Sequence, residues 1–218
     1  GLDALVADIA AEKGASITVI ELGGQSRRSE ALGTKSWHTA SMYKLFIAYA
    51  VLAQVEAGHM HWDDQIAYGK DAAACFEAMI VLSDNVCGGA FGDKIGWGTV
   101  ESMMHGLGLG STYLAGYRAT TANDLALFLQ KLNAGSFLSA DSRERLLSAM
   151  RRQIYRSGIP RGTGSAAANK VGYIWGVRHD AGIVYGPNGT YIVAIMTPGA
   201  SWPSVADAAA RIHSFINQ

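Results

Sequence analysis

The chain has 218 residues, of which 49% are apolar and 17% charged, and its 18 basic side chains balance 18 acidic ones. This composition supplies a sizeable apolar core and excludes a disordered chain. The neutral balance gives no electrostatic reason to expect nucleic acid or an anionic membrane as a partner. The longest uncharged apolar run, Leu45–Ala53, is far shorter than the ~20 residues that a membrane span needs. We therefore predict a globular protein without a membrane span, and its oligomeric state stays open.

The first forty residues predict one helix and two strands. Apolar side chains at positions 2, 5, 6 and 9 have helical spacing, and Gly14 is a suitable residue to end the helix. Ser16–Leu22 is rich in β-branched residues and is followed by two glycines, which predicts a strand and a turn. Ser29–Ser36 is then the expected hairpin partner of that strand.

The middle of the chain is predicted to be helical. A long helical pattern begins at Ser41, runs to about Glu56 and is closed by Gly58. Short glycine-rich links separate the later helical patterns, which cover residues 72–82, 85–94, 99–106, 122–133 and 139–152.

The last part of the chain returns to strands and ends in a helix. Strand-like patterns cover residues 166–173, 181–185 and 191–197, a turn signal lies at 186–189, and an amphipathic helix covers 203–217. We therefore predict an α+β fold within one domain. Residues 1–40 and 153–218 build one antiparallel sheet, and residues 41–152 form an inserted all-helical subdomain. The crevice between the two parts is the expected place for a site.

A serine and a lysine open the first long helix of the middle part. Ser41 and Lys44 are three residues apart, so one helical turn places the hydroxyl and the amine on the same face. The helix dipole favours negative charge on Ser41 and is expected to lower the pKa of Lys44, so that a neutral amine can accept the serine proton. An N-cap serine followed by an unrelated surface lysine would give the same pattern.

Two further short motifs follow in order. The sequence S-D-N at 83–85 lies between two predicted helices, where serine and asparagine are also ordinary turn and cap residues. The sequence K-V-G at 170–172 lies on a predicted strand. An S-x-x-K pair, an S-D-N turn and a K-x-G strand in this order are typical of class A β-lactamases and penicillin-binding proteins.

On these motifs the chain resembles the superfamily of class A β-lactamases and penicillin-binding proteins, and most of all its compact β-lactamase-like serine hydrolases. The resemblance extends over nearly the whole chain and includes TASMYKL at 39–45, TTANDL at 120–125 and GVRHDAG at 176–182. It implies a β-lactamase/transpeptidase-like fold and an enzyme that forms an acyl-enzyme on a serine.

The resemblance also implies the roles of individual residues. Ser41 is similar to the nucleophile of the family and Lys44 to its general base, while Ser83 would pass a proton to the leaving nitrogen. Lys170 would supply positive potential near Ser83 and the substrate carboxylate. The other implied roles are the oxyanion hole, formed by the backbone N–H groups of Ser41 and Tyr173, and substrate binding by Asn85 and Gly172.

One departure from the family pattern concerns the substrate carboxylate. The family has a threonine or serine hydroxyl in its K-[TS]-G motif, whereas this chain has Val171. A methyl group cannot donate a hydrogen bond, so carboxylate recognition must weaken or shift. Arg178 is the nearest substitute donor. Alternatively, Arg178 is solvated or paired with Asp180.

A second departure concerns the step after acylation. Class A β-lactamases use a glutamate on an omega loop to activate the deacylating water, but residues 102–123 contain no Asp or Glu. We therefore expect the loop to be deleted and deacylation to be slow. A base recruited from elsewhere, Asp124 or Glu101, is the counter-hypothesis.

These features predict a serine hydrolase or acyltransferase that acts on small β-lactams or D-alanyl-type peptides through Ser41, without a cofactor. A D,D-peptidase of cell-wall metabolism and a catalytically idle, lactamase-like binding module are the alternatives. A metallo-hydrolase is a further hypothesis, suggested by HMHWDD at 59–64. The additional ligands it would need, His105, His179 or His213, lie far along the chain.

Two cysteines and the cell-wall chemistry bear on the cellular location. Cys75 and Cys87 either form a disulfide or stay as two buried free thiols, which is the simpler reading. The family chemistry implies a bacterial periplasmic or secreted protein. The segment Gly1–Ala4 opens no signal sequence, so export would require removal of a signal ahead of Gly1.

Overall fold

The computed structural model describes residues 1–218 and contains nine α-helices and nine strands. The helices are α1 (Leu2–Lys13), α2 (Tyr43–Glu56), α3 (Ala72–Val81), α4 (Asn85–Ile95), α5 (Trp97–Gly106), α6 (Ala122–Ala134), α7 (Ala140–Arg152), α8 (Ile159–Thr163) and α9 (Trp202–Ile216). The strands are β1 (Ser16–Glu21), β2 (Arg28–Ala31), β3 (Trp37–His38), β4 (Gln65–Ala67), β5 (Lys70–Asp71), β6 (Ala119–Thr120), β7 (Ala166–Ile174), β8 (Val177–Gly186) and β9 (Gly189–Thr197).

Both chain ends build the main sheet. Its five strands lie in the order β2–β1–β9–β8–β7, and every neighbouring pair is antiparallel. The predicted α+β fold with a sheet from both ends is therefore confirmed. Strand β2 is shorter than the predicted 29–36 segment because Leu32 adopts a left-handed φ of 52°, which ends the extended chain. Trp37 and His38 pair instead with β6.

The hairpin of β7 and β8 is tighter and longer than predicted. Ile174 pairs with Val177, so only Trp175 and Gly176 form the turn, and Gly176 adopts the positive φ of 87° that glycine tolerates. Strand β8 therefore begins at Val177 rather than at Ala181. This register brings residues 178–180 into the sheet beside the K-V-G segment of β7.

Helices cover both faces of the sheet. Along β9, Ile192, Ala194 and Met196 join the cluster of 41 buried apolar residues shared with the middle part of the chain. The alternate residues Tyr191, Val193 and Ile195 join a second cluster of 18 residues with α1 and α9. Successive side chains of a strand point to opposite faces, so a strand covered on both faces is apolar throughout.

The inserted part is helical apart from the small β4–β5 hairpin and the short strand β6, so the prediction of an all-helical insert is wrong at residues 65–71 and 119–120. Helix α2 lies at its centre, and nearly every residue from 43 to 52 is buried. A helix buried all round is apolar all round, which explains the uncharged run that the sequence shows. No helix is both long enough and apolar enough to cross a membrane.

Cys75 and Cys87 form a disulfide, which is one of the two alternatives that the sequence left open. Cys75 lies on α3 and Cys87 on α4, two helices that pack against each other on either side of the S-D-N turn. This packing brings the two Cα atoms to 5.1 Å, within the range that a disulfide requires. The bond therefore ties together the two helices that carry the turn.

Removal of this disulfide tests its contribution to stability. The double variant Cys75→Ala/Cys87→Ala should lose about 3 kcal/mol of unfolding free energy, because the unfolded chain regains the freedom of a loop of this length. Urea denaturation measures the loss. A reductant should lower the stability of the wild type toward that of the variant and leave the variant unchanged. If a reductant that acts on the unfolded wild type leaves its unfolding free energy unchanged, the assignment of the Cys75–Cys87 disulfide is contradicted.

Candidate active site

Two adjoining cavities open where the sheet meets the helical part, and Ser41, Asn85 and Tyr173 line both of them. The larger, of about 450 Å³, is completed by Ser83, Tyr155, Val171, Arg178 and Trp202. The smaller, of about 330 Å³, is completed by His38, Ala40, Tyr43, Gly89, Arg118 and Ile174. No carboxylate lines either cavity, so a crevice surrounded by basic side chains runs past Ser41.

Ser41 lies in a short 3-10 turn, Ala40–Met42, and not in the α-helix that the sequence predicts from this residue. Ala40 adopts a left-handed φ of 45°, which is unusual for a residue with a side chain. The Nδ1 atom of His38 accepts the N–H of Ala40 at 2.8 Å and helps to hold this backbone conformation. The turn presents Ser41 to both cavities. Strained backbone of this kind occurs often at functional sites.

Lys44 lies in the first turn of α2 and contacts the other polar residues of the site. Its Nζ atom lies 3.0 Å from Ser41 Oγ, 3.0 Å from Ser83 Oγ and 2.7 Å from Asn85 Oδ1. Burial lowers the pKa of Lys44 to about 8, and the charge of Asp84 opposes the shift. The cause is therefore desolvation of the ammonium group rather than the helix dipole that the sequence suggested.

Ser83 and Asn85 are positioned by the link between α3 and α4. Ser83 adopts a left-handed φ of 58°, and Asp84 caps α4 by accepting the N–H of Cys87. Lys44 Nζ also donates to the Ser83 carbonyl at 2.6 Å, which fixes this turn against α2. Asn85 uses its Oδ1 atom for Lys44, so its amide nitrogen remains available at the crevice.

Lys170 approaches the same serine from the sheet. It is fully buried on β7, and its Nζ atom donates to Ser83 Oγ at 2.9 Å and to the Val171 carbonyl at 2.7 Å. Burial and the charge of Lys44 lower the pKa of Lys170 well below its ordinary value, against the attraction of Asp180. Two lysines thus share the hydroxyl of Ser83, and each disfavours the charge of the other.

Arg178 makes no ion pair with Asp180. The Asp180 carboxylate is fully buried and accepts the Asn169 side-chain amide at 2.9 Å and the Ile159 N–H at 2.8 Å, and burial raises its pKa to about 7. The guanidinium of Arg178 lies instead between two aromatic rings, 4.7 Å from Tyr173 and 5.0 Å from Trp202. Its Nε atom is buried without a hydrogen-bond partner.

The K-V-G segment of β7 forms part of the wall of the larger cavity and packs closely against the turn that carries Ser41. Val171 is buried with its side chain lining the larger cavity, where the family has a hydroxyl. Gly172 faces the turn that carries Ser41: a Cβ atom there would lie 3.0 Å from Met42 Cγ and 3.1 Å from the Thr39 carbonyl oxygen. Gly172 therefore has a packing role, and its substrate contact stays a prediction.

Two carboxylates, Glu101 and Asp124, hold the segment for which the sequence predicts a deleted omega loop. Glu101 accepts the N–H groups of Leu114 and Ala115 at 2.8 and 3.2 Å. Asp124 accepts the N–H of Ser111 at 3.0 Å and the hydroxyl of Thr112 at 2.8 Å. Both candidate deacylation bases are thus engaged in structural hydrogen bonds, and neither lines a cavity.

Sequence reasoning missed several residues that line the crevice. Tyr155, Trp202, His38 and Arg118 lie far apart in the sequence and belong to no motif. Trp175 lies in the β7–β8 turn, is 94% exposed and lines neither cavity.

The histidine-rich segment at 59–64 forms no metal site. Asp64 accepts the N–H of His61 and thereby caps a turn, and the side chains of His59 and His61 are exposed. No group of three or more His, Cys, Asp or Glu side chains is arranged to hold a metal ion.

Both the sequence and the structure are similar to those of known proteins. Residues 2–218 match the family model described as the beta-lactamase enzyme family. The structure is similar to that of PBP-A, with a TM-score of 0.90 and 24% identity over 99% of this chain and 96% of that one. It is also similar to the β-lactamase of Sphaerobacter thermophilus, with a TM-score of 0.86 and 21% identity over 98% and 94% of the two chains.

A third similar structure is a single-substitution mutant of PBP-A as an acyl-enzyme complex with penicillin G, with a TM-score of 0.87 and 25% identity over 99% and 96% of the chains. A search of curated proteins finds no match. The family match spans nearly the entire chain. The chain therefore belongs to the beta-lactamase enzyme family, whose serine-hydrolase fold it shares.

Proposed function

We propose that this protein is an acyltransferase that resembles a penicillin-binding protein more than an efficient β-lactamase. Its substrates would be β-lactams or D-alanyl-type peptides and esters, which acylate Ser41. One observation carries this proposal: Lys44 Nζ lies 3.0 Å from Ser41 Oγ, and burial lowers its pKa to about 8. About a tenth of the Lys44 amines are then neutral at pH 7 and able to accept a proton.

In the proposed acylation, neutral Lys44 removes the proton of Ser41 as the Oγ atom attacks the substrate carbonyl carbon. The tetrahedral intermediate collapses by breaking the carbon–nitrogen bond. Ser83, which lies 3.0 Å from Lys44 and 2.9 Å from Lys170, passes its proton to the leaving nitrogen and receives from Lys44 the proton that came from Ser41. The step leaves an ester on Ser41 and a neutral amine, so the proton taken from the serine is accounted for.

Backbone and side-chain donors would hold the substrate around this centre. The N–H groups of Ser41 and Tyr173 would receive the developing oxyanion, a contribution typically worth about 2.7–4 kcal/mol per donor. The free amide nitrogen of Asn85 would bind the substrate amide. Arg178, which lines the larger cavity and forms no ion pair, would bind the substrate carboxylate in place of the hydroxyl that Val171 lacks.

Slow deacylation follows from the absence of a base beside the ester. No carboxylate lines the crevice, and Glu101 and Asp124 are held in other hydrogen bonds. His38 lines the smaller cavity, but its Nδ1 atom already accepts the Ala40 N–H, so the proton of the neutral ring lies on Nε2. Acylation returns Lys44 to its neutral form, but with a pKa of about 8, about nine in ten of these amines take up a proton again at pH 7. General-base assistance, typically worth 10²–10⁴-fold, is therefore largely missing.

The similar PBP-A mutant captured as an acyl-enzyme with penicillin G supports a stable ester in this architecture. A D,D-peptidase of cell-wall metabolism is the second candidate, favoured by the same crevice without a carboxylate. Release of D-alanine from D-Ala-D-Ala peptides distinguishes it from a β-lactam-directed enzyme. A catalytically idle binding module would acylate with neither substrate.

We further propose a location outside the bacterial cytoplasm, periplasmic or secreted. The buried Cys75–Cys87 disulfide supports this proposal, because such bonds persist in oxidising compartments and are rare in the cytosol.

Acylation of Ser41 is tested by intact mass spectrometry after incubation with benzylpenicillin. We expect one covalent adduct of the intact penicillin mass on the wild type and none on Ser41→Ala. Lys44→Ala should be nearly as inactive, since residues that act as one unit have non-additive effects. An adduct on Ser41→Ala, or none on the wild type with any β-lactam or D-alanyl ester, would refute the assignment.

Slow deacylation is tested by pre-steady-state kinetics with nitrocefin. We expect a burst of about one product molecule per enzyme molecule, followed by a turnover slower than the burst by two orders of magnitude or more. Efficient turnover without a burst would show that a deacylation base exists and would leave Ser41 as the nucleophile.

Gly172→Ala tests the close packing of β7 against the nucleophile turn. The new methyl group needs a shift of a few tenths of an ångström from Met42, Ala40 or the backbone of Thr39, because all three lie within 3.0–3.2 Å of it. We expect acylation to slow by about tenfold with little change in melting temperature. Gly98→Ala is the control, since its methyl group would meet no atom within 4 Å. An unchanged acylation rate in Gly172→Ala would show that close packing at Gly172 does not position Ser41.

A further inference from the structure

Arg118 is a cation without a counter-charge at the smaller cavity. Its guanidinium lies 3.9 Å from the Trp97 ring and 4.7 Å from the Tyr43 ring, so two aromatic faces fix its position. None of the ion pairs of the protein includes Arg118, and its side chain donates no hydrogen bond to a protein atom. Its donors are thus held in place and free at the cavity that it lines.

The surroundings of Arg118 are suited to an anion. The other residues of the smaller cavity include no carboxylate, and burial, together with the charge of Arg118, lowers the pKa of His38. Because His38 uses Nδ1 as an acceptor, its neutral ring adds a second N–H donor, on Nε2. Gly89 forms part of the wall, and a Cβ atom there would meet nothing within 4 Å, which leaves room beside the guanidinium.

The proposed function fixes which part of a substrate enters this cavity. Ser83 serves the leaving nitrogen, and it lines only the larger cavity, together with Arg178. The leaving group and its carboxylate therefore occupy the larger cavity. The acyl substituent, on the other side of the carbonyl carbon, must extend from Ser41 into the smaller cavity and toward Arg118.

Resting on that function, we infer that Arg118 selects acyl donors that carry a second carboxylate, on the acyl side of the scissile bond. A guanidinium binds a carboxylate through paired hydrogen bonds, whereas it gives a neutral acyl group no such advantage. The preferred substrate would then present one carboxylate to Arg178 and another to Arg118, with the reactive carbonyl between them.

A matched pair of penicillins tests this inference. Carbenicillin and benzylpenicillin differ by one carboxylate on the acyl side chain. We expect the wild type to be acylated about tenfold faster by carbenicillin, measured as second-order rate constants by stopped flow or competition with nitrocefin. Arg118→Gln should bring the ratio of the two rate constants close to one, and Arg118→Lys should keep part of the preference.

Two controls separate recognition from structural damage. Lys94→Gln removes a cation from the same helical part outside both cavities and should keep the wild-type ratio. In the wild type, raising the salt concentration should lower the ratio toward one, and this measurement needs no variant.

The outcomes distinguish this inference from the proposed function. Equal rates with the two penicillins in the wild type, or a ratio that Arg118→Gln leaves unchanged, would overturn the inference and leave acylation of Ser41 standing. If neither penicillin labels Ser41, the inference about Arg118 and the proposed function are both wrong.

Discussion

The site depends on two buried lysines that share one serine hydroxyl. Lys44 and Lys170 approach Ser83 Oγ to 3.0 and 2.9 Å from opposite parts of the fold. Burial removes water from both ammonium groups, and the charges of Asp84 and Asp180 offset this only in part. The neutral amine of Lys44 is therefore far more accessible at neutral pH than that of a lysine in water, and this state is the one that can activate Ser41.

The fold holds these two lysines and Ser83 together. The three contributing segments, the turn before α2, the α3–α4 link and strand β7, are far apart in the sequence and are brought together by long-range packing. The disulfide ties α3 to α4 beside Ser83, and Gly172 lets β7 approach the Ser41 turn. Left-handed backbone at Ala40 and Ser83 is held by these contacts, which offset its local cost of about 1–3 kcal/mol per residue.

Much of the fold was predictable because local patterns determine it. The β-branched run of β1, the glycine-bounded turn before β9 and the periodic helices required no knowledge of the tertiary structure. The three short motifs also identified the central polar cluster, since their residue types carry the chemistry. The sequence predicted the wrong cause for the lowered pKa of Lys44 and left the Cys75–Cys87 pairing open, because both features depend on how separate segments pack. Arg118 and Trp202 belong to no motif, and only the assembled crevice reveals them.

The most direct test of the account is the pKa of Lys44. NMR titration of protein with isotope-labelled lysine measures it, and the loss of one signal in Lys44→Ala identifies the resonance. Because burial disfavours the ammonium form, the account predicts a midpoint near 8, with the amine protonated below this pH and neutral above it. A midpoint near the ordinary lysine value of about 10.4 would contradict the claim that Lys44 is the base that activates Ser41.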